Sequence, residues 1–180
     1  MRVIAGAAKG RRLQAPSGLA TRPLTDLARE GLFSSIGERV EEARVLDLYA
    51  GSGAIGIEAL SRGAGAVTLV ERDPAAFRIL RENLAAVGLG GRAVNQEVTA
   101  FLCQAPAASF ELVFVDPPYA EALASVEMVL AKVAAVVTPG GLVVVHRRAG
   151  GSAPTLPAGQ VMPPLRYGDT VLHRFLMGAW

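Results

Sequence analysis

From Arg44 onwards, short apolar segments alternate with longer amphipathic ones, and this alternation limits the possible folds more than any other feature of the sequence. The apolar segments, rich in β-branched and aliphatic residues, predict strands at residues 45–49, 66–70, 93–95, 110–115 and 142–146. The segments between them predict helices at residues 54–62, 74–87, 98–103 and 121–136. Two further β-rich segments, residues 160–167 and 170–176, predict a terminal antiparallel hairpin. Such a chain is expected to form an α/β, Rossmann-like fold with a mostly parallel sheet and helices on both faces.

The first forty residues precede this alternation and have a different pattern. Residues 7–10 predict a turn between two short strands, and Thr25 is placed to cap the start of a helix. We therefore expect an N-terminal hairpin-helix extension, residues 1–42, and a main domain, residues 43–180.

Composition narrows the cellular setting of the chain. The single cysteine, Cys103, excludes an internal disulfide and is typical of a reducing compartment. With only His146 and His173 in addition, we expect no structural metal. No apolar segment has the length of a signal peptide core or a membrane span. These features predict a soluble, cytoplasmic protein.

An unusual turn follows the strand at residues 110–115. It consists of Asp116, Pro117, Pro118 and Tyr119. The two prolines stiffen the turn because they fix φ and lack N–H groups. Asp116 and a backbone carbonyl can therefore accept hydrogen bonds from one planar group bearing an exocyclic amine, with the Tyr119 ring as a stacking surface. The simpler interpretation is an ordinary strand end with a half-buried tyrosine.

A glycine-rich loop after the first strand predicts a nucleoside-containing cofactor, because the carboxyl ends of parallel strands form the ligand cleft. The predicted cofactor contacts are Asp47, Tyr49, Gly51, Ser52, Gly53, Glu71, Arg72 and Glu97. The loop also fits the G-x-G-x-x-G dinucleotide pattern, so NAD is an alternative. Asp47 argues against NAD, because a carboxylate close to a pyrophosphate is repelled. S-adenosylmethionine instead carries a sulfonium and an ammonium group. Glu97 has a second interpretation as the cap of the next helix.

Basic residues are concentrated near the N-terminus, although the net charge is only +2. Arginine favours contacts with phosphate groups, so this arm predicts a nucleic-acid partner. The predicted RNA contacts are Arg2, Lys9, Arg11, Arg12, Arg22 and Arg29. A solvated charged surface is the alternative, and the same two interpretations apply to His146, Arg147 and Arg148 after the fifth strand.

Several motifs together resemble one family. The cofactor loop, Glu71 and the Asp116–Tyr119 turn look like a class I S-adenosylmethionine-dependent methyltransferase acting on an exocyclic or amide nitrogen. The segments Arg2–Gly6, Thr21–Asp26 and Tyr167–Thr170 narrow the resemblance to the RsmD family of bacterial 16S rRNA guanine-N2 methyltransferases. The chain departs from the family pattern at Leu24, Leu27, Gly31 and Glu97.

The resemblance implies a monomeric enzyme that methylates 16S rRNA within the small ribosomal subunit, and no DNA substrate. Other classes remain open at this point. They are a DNA adenine-N6 or protein glutamine-N5 methyltransferase, an NAD-dependent oxidoreductase, and a non-catalytic ribosome-assembly factor that binds RNA.

Overall fold

A single seven-stranded sheet runs through the protein in a computed structural model that describes residues 1–15 and 24–178. Its strands are β1 (Arg44–Leu48), β2 (Ala66–Glu71), β3 (Arg92–Asn95), β4 (Phe110–Val115), β5 (Val137–Arg148), β6 (Gly159–Tyr167) and β7 (Thr170–Met177). The spatial order is β3-β2-β1-β4-β5-β7-β6. Strands β1 to β5 are parallel, whereas β7 is antiparallel to both β5 and β6. The predicted fold class is therefore confirmed.

Five α-helices accompany the sheet in the described residues. They are α1 (Asp26–Ile36), α2 (Ala54–Ser61), α3 (Pro74–Val87), α4 (Val98–Gln104) and α5 (Leu123–Val136). Thr25 caps α1 by accepting a hydrogen bond from the backbone N–H of Ala28, as predicted. Asp73 caps α3 in the same way, and Pro74 occupies the first helical position, where no N–H is needed.

Two hydrophobic clusters hold the helices on opposite faces of the sheet. One cluster joins α4 and α5 to the strands and includes Phe101 and Leu130. The other joins α1, α2 and α3 to the opposite face and includes Phe33 and Leu80. The ring of Phe33 in α1 packs against the ring of Phe114 in β4 in a tilted arrangement, with 5.7 Å between the centroids. The helix of the N-terminal extension thus shares its core with the sheet.

Strand β5 is longer than predicted, because it begins immediately after α5 rather than at Leu142. Val137 pairs with Phe110, and Leu142 pairs with Leu112, so several residues of β5 bulge out between these two pairs. The bulge contains Pro139 and Gly140, and Gly140 has a φ of 76°, a conformation that suits glycine. The Pro-Gly-Gly sequence that ends the helix therefore lies inside the strand.

The N-terminal hairpin forms, but its pairing is reduced to one isolated bridge between Arg2 and Arg12. The reason is that the N–H groups of Ile4 and Ala5 donate to the carboxylate of Glu58 in α2, at 2.8 and 3.0 Å. Ala7 and Ala8 donate to Ser61, also in α2. The hairpin is therefore attached to α2 instead of extending as a two-stranded ribbon.

In the part of the chain that the structure describes, no helix is both long enough and apolar enough to cross a membrane.

Candidate functional site

The register of the central strands brings the two predicted motifs to the same edge of the sheet. Leu48 of β1 lies beside Val115 of β4, so the residues that follow these strands are neighbours. The N–H of Asp116 donates to the carbonyl of Leu48 at 3.3 Å. The Asp116–Tyr119 turn thus begins next to the glycine-rich loop.

Backbone conformation and one carboxylate shape the glycine-rich loop. Tyr49, Gly51 and Gly53 have φ values of 60°, 56° and 82°, a region that favours glycine. The N–H of Gly51 donates to Oε2 of Glu71 at 2.8 Å, and Oε1 of Glu71 accepts from the N–H of Asp73 at 2.7 Å. Glu71 therefore ties the loop to the end of β2, and its remaining lone pairs can still accept bonds from a ligand.

Asp47 is a buried carboxylate with one partner missing. Its Oδ2 accepts a hydrogen bond of 2.9 Å from the N–H of Gly56, whereas Oδ1 has no hydrogen-bond partner among the described residues although it is shielded from solvent. Burial, opposed by the Gly56 bond and assisted by the negative charges of Asp116 and Glu71, raises the pKa of Asp47 to about 8. The ionised form of such a carboxylate is stabilised by a nearby cation and destabilised by a pyrophosphate. S-adenosylmethionine supplies two cationic groups, a sulfonium and an ammonium.

The remaining cofactor candidates are placed around the same edge. Tyr49 follows β1, Arg72 follows β2 and Glu97 follows β3, and these three strands are neighbours in the sheet. Burial, with the charges of Glu121 and Glu97, raises the pKa of Tyr49 to about 12. Ser52 is buried, and its carbonyl accepts from the Asn83 side chain at 2.9 Å.

Glu97 is the N-cap of α4, as one of its two interpretations predicted. Its Oε2 accepts hydrogen bonds from the N–H groups of Thr99 and Ala100, at 2.6 and 3.2 Å. A contact between Glu97 and a cofactor therefore has to coexist with this capping role.

The second half of the Asp116–Tyr119 turn continues into a hydrogen-bonded turn, in which the N–H of Glu121 donates to the carbonyl of Pro118 at 2.9 Å. This bond keeps the turn outside α5, which is why the helix begins at Leu123 rather than at the predicted Glu121. The carbonyl of Pro117 accepts no hydrogen bond from residues 1–15 or 24–178.

A histidine completes the turn, and the sequence analysis did not identify it as a site residue. Nδ1 of His146 lies 2.6 Å from Oδ1 of Asp116, and its Nε2 lies 3.2 Å from the hydroxyl of Tyr119. The side chain is only 3% exposed, so neither earlier interpretation, a basic patch or a solvated strand end, applies to it. The pairing of β4 with β5 explains this contact: Val144 pairs with Phe114, and His146 and Asp116 each lie two positions further along their strands.

The predicted RNA contacts separate into three groups. Arg2, Lys9, Arg11 and Arg12 are exposed on the N-terminal hairpin, and Arg11 also donates to the carbonyl of Ala86 at 2.9 Å. Arg22 lies outside the described residues. The prediction for Arg29 is wrong, because its side chain is fully buried between Asp26 and Glu58 and cannot reach a phosphate group.

The chain is similar in sequence to known proteins. The chain is 38% identical over 175 residues to "Ribosomal RNA small subunit methyltransferase D" of Escherichia coli K12, covering 97% of this chain and 88% of that protein. A protein of the same name from Haemophilus influenzae is 36% identical over 123 residues, covering 66% and 64% of the two chains.

A solved structure extends the similarity to the whole fold. The hypothetical protein TTHA0928 of Thermus thermophilus superposes with a TM-score of 0.83 at 35% identity, covering 99% of each chain. The family model described as "Conserved hypothetical protein 95" matches residues 1–175. The chain therefore belongs to the Conserved hypothetical protein 95 family, the RsmD family that its motifs resemble.

Proposed function

We propose that this protein transfers a methyl group from S-adenosylmethionine to the exocyclic N2 of a guanine in 16S rRNA. The observation that carries this proposal is the position of Asp116, which begins its stiff turn beside the glycine-rich loop and leaves Oδ2 without a hydrogen bond to the described residues. The names of the relatives support rRNA as the substrate. A pre-assembled small subunit is the proposed form of that substrate, and a cytoplasmic monomer is the proposed form of the enzyme.

The cofactor site fits S-adenosylmethionine, which supplies an electrophilic methyl group when bound. Asp47 offers a buried oxygen that lacks a partner among the described residues, and Gly51, Ser52 and Gly53 form the adjacent loop. Glu71 retains lone pairs for a ribose hydroxyl pair, and Tyr49, Arg72 and Glu97 lie at the neighbouring strand ends.

The turn performs the second half of the task, which is to orient a weak nucleophile. The guanine amine is a poor nucleophile because its lone pair is delocalised into the ring. Asp116 and the Pro117 carbonyl accept its two N–H bonds and so direct the lone pair, while Tyr119 stacks on the unstacked base. Pro118 holds the turn through its bond with Glu121. After transfer, the extra proton leaves the nitrogen for Asp116 or solvent.

The N-terminal hairpin provides the proposed RNA contacts. Arg2, Lys9, Arg11 and Arg12 are exposed there, and Arg22 is the remaining candidate from the sequence. A small hairpin offers few phosphate contacts, so ribosomal proteins of the subunit are expected to complete the binding surface.

The test is transfer of labelled methyl groups from S-adenosylmethionine to three substrates, followed by nucleoside analysis. The substrates are small subunits lacking the modification, protein-free 16S rRNA and duplex DNA. We expect N2-methylguanosine, most abundantly from the subunits. An Asp116→Ala variant should bind the cofactor normally yet lose at least about 100-fold in rate, since it removes a preorganised acceptor.

Other outcomes separate the remaining classes. Labelled methyl groups in adenine or in DNA would support S-adenosylmethionine as the cofactor but contradict guanine in 16S rRNA as the substrate. Binding of NAD in place of S-adenosylmethionine in a direct titration would indicate an oxidoreductase. Cofactor binding without any transfer would identify a non-catalytic assembly factor.

A further inference from the structure

His146 is a buried polar residue in surroundings that an apolar side chain would fill equally well. It lies on β5 between Val145 and Arg147, with Leu172 of β7 as its paired neighbour. The cluster on this face of the sheet is otherwise aliphatic and aromatic. Its two ring nitrogens nevertheless contact two residues of the Asp116–Tyr119 turn, 27 and 30 positions away in the sequence.

The chemistry of the partners fixes the direction of these bonds. An ionised carboxylate only accepts hydrogen bonds, so Nδ1 of His146 carries the proton that is shared with Asp116. In the neutral imidazole, Nε2 then accepts, and the Tyr119 hydroxyl donates to it. The 3.2 Å bond to Tyr119 is supported by an edge-on contact of the two rings, whose centroids are 5.4 Å apart.

We propose that His146 is a positioning residue for the methyl-acceptor site. It holds Oδ1 of Asp116 and the hydroxyl of Tyr119, so Oδ2 of Asp116 and the face of the Tyr119 ring are left for the substrate amine and base. This inference rests on the proposed function. In addition, His146, on the rigid strand β5, fixes the positions of the Asp116 carboxylate and the Tyr119 ring, which the turn alone does not fix.

A merely space-filling role makes a different prediction. In that case the loss of activity on substitution of His146 depends only on the loss of packing, and it does not matter which ring nitrogen the new side chain replaces. A positioning role requires a donor at the place of Nδ1, because that atom contacts the carboxylate. Asparagine can place its amide N–H near Nδ1, whereas glutamine reaches the place of Nε2, so these two variants distinguish the roles.

The kinetic experiment compares His146→Asn and His146→Gln with the wild-type protein on small subunits lacking the modification. We expect kcat of His146→Gln to fall on the order of 100-fold, as a misdirected reacting group does, and His146→Asn to retain about ten times more activity than His146→Gln. Binding of S-adenosylmethionine, measured by calorimetry, should be unchanged in both. Equal losses in both variants, in proportion to their melting temperatures, would overturn the proposal.

His173 provides a matched control. It is the other histidine of the chain, it is partly buried on β7, and it follows Leu172, so its side chain lies on the opposite face of the sheet. His173→Asn and His173→Gln should leave kcat at the wild-type value.

A spectroscopic experiment tests the hydrogen bond without the reaction. In the protein labelled with ¹⁵N-histidine, we expect His146 to carry its proton on Nδ1, with a strongly downfield proton resonance that disappears in Asp116→Asn. A proton on Nε2 alone, or a resonance unaffected by Asp116→Asn, would overturn the proposal.

The two proposals can fail separately. If the wild-type protein methylates none of the RNA substrates, the proposed function fails, and the NMR spectrum alone decides whether His146 holds Asp116. If RNA is methylated but His146→Gln retains full activity, the proposed function stands and the role of His146 is refuted.

Discussion

Arg29 and Glu58 form an ion pair in the interior of the protein, with Nε of Arg29 3.7 Å from Oε2 of Glu58 and both side chains fully shielded from solvent. Burial lowers the pKa of Arg29 although the charges of Glu58 and Asp26 oppose the shift. The Glu58 carboxylate also accepts the N–H groups of Ile4 and Ala5. One carboxylate therefore joins helix α1, helix α2 and the N-terminal hairpin.

Removing the charge of Glu58 is expected to destabilise the protein severely. In Glu58→Gln, the buried Arg29 guanidinium keeps only the half-exposed Asp26 as a counter-ion, and Arg62 loses its partner at 2.8 Å, so the loss of unfolding free energy should approach the value of about 3–5 kcal/mol that breaking a buried ion pair costs. Urea denaturation measures the loss. Glu111→Gln is the matched control, because its pair with Arg44 is exposed and screened by solvent, so a much smaller loss is expected. Similar losses of unfolding free energy in Glu58→Gln and Glu111→Gln would contradict the prediction that the buried ion pair stabilises the protein more than the exposed one.

Charge reversal on the hairpin is expected to weaken RNA binding. Arg11→Glu combined with Arg12→Glu removes two of the proposed phosphate contacts, so the slope of log K against log salt should become shallower by about 2. Filter binding to small-subunit RNA at several salt concentrations measures the slope.

The control for the Arg11→Glu, Arg12→Glu variant is a second double charge reversal outside the hairpin. Arg39→Glu combined with Arg92→Glu makes the same change of charge outside the hairpin, at Arg39, which contacts the carbonyl of Gly140, and at Arg92, which begins β3. If both double variants alter the slope to the same extent, binding depends on net charge and the hairpin has no special role.

The buried carboxylate of Asp47 makes the stability of the free protein depend on pH. Its pKa is raised from 3.8 to about 8 by burial, so the folded state holds a proton that the unfolded state has released. Its contribution is therefore most favourable below about pH 4 and is progressively lost between pH 4 and pH 8. Asp47→Asn should melt at a higher temperature than wild type at pH 8, with a difference that shrinks towards pH 4. Asp169→Asn, an exposed carboxylate, should show no such trend.

The same carboxylate links cofactor binding to proton release. A cationic ligand next to Asp47 favours the ionised form and lowers the pKa of Asp47, so binding of S-adenosylmethionine at pH 7 should release a proton. The affinity should accordingly rise as the pH increases towards 8. Calorimetry in buffers of different ionisation enthalpy counts the protons released. A wild-type count equal to that of Asp47→Asn would show that Asp47 stays protonated beside the cofactor.

The sequence predicted the features that depend on local patterns. The strand–helix alternation predicted the five parallel strands, two further β-rich segments predicted the terminal hairpin, and the cap at Thr25 could be identified because capping needs only residues close in sequence. The cofactor loop and the Asp116 turn could also be placed at one edge, because parallel strands align their carboxyl ends.

Features that depend on distant partners could not be predicted in this way. Arg29 stands in a basic arm and looks like a surface residue until Glu58 is brought next to it by the packing of α1 on α2. His146 requires the register of β4 and β5, which a bulge in β5 shifts. Burial and register are consequences of tertiary structure, and both changed the list of site residues.

The contact between Gly31 of α1 and Tyr167 of β6 has a consequence for synthesis of the chain. A Cβ at Gly31 would lie 1.9 Å from the Tyr167 hydroxyl, so the ring occupies the space that the missing side chain leaves. Tyr167 lies far downstream of α1 in the chain, so it leaves the ribosome long after α1 does. The surface of α1 around Gly31 therefore stays uncovered until β6 has been translated, whereas Phe33 gains its partner Phe114 earlier, with β4. During that interval the surface around Gly31 is one that a nascent-chain chaperone would meet.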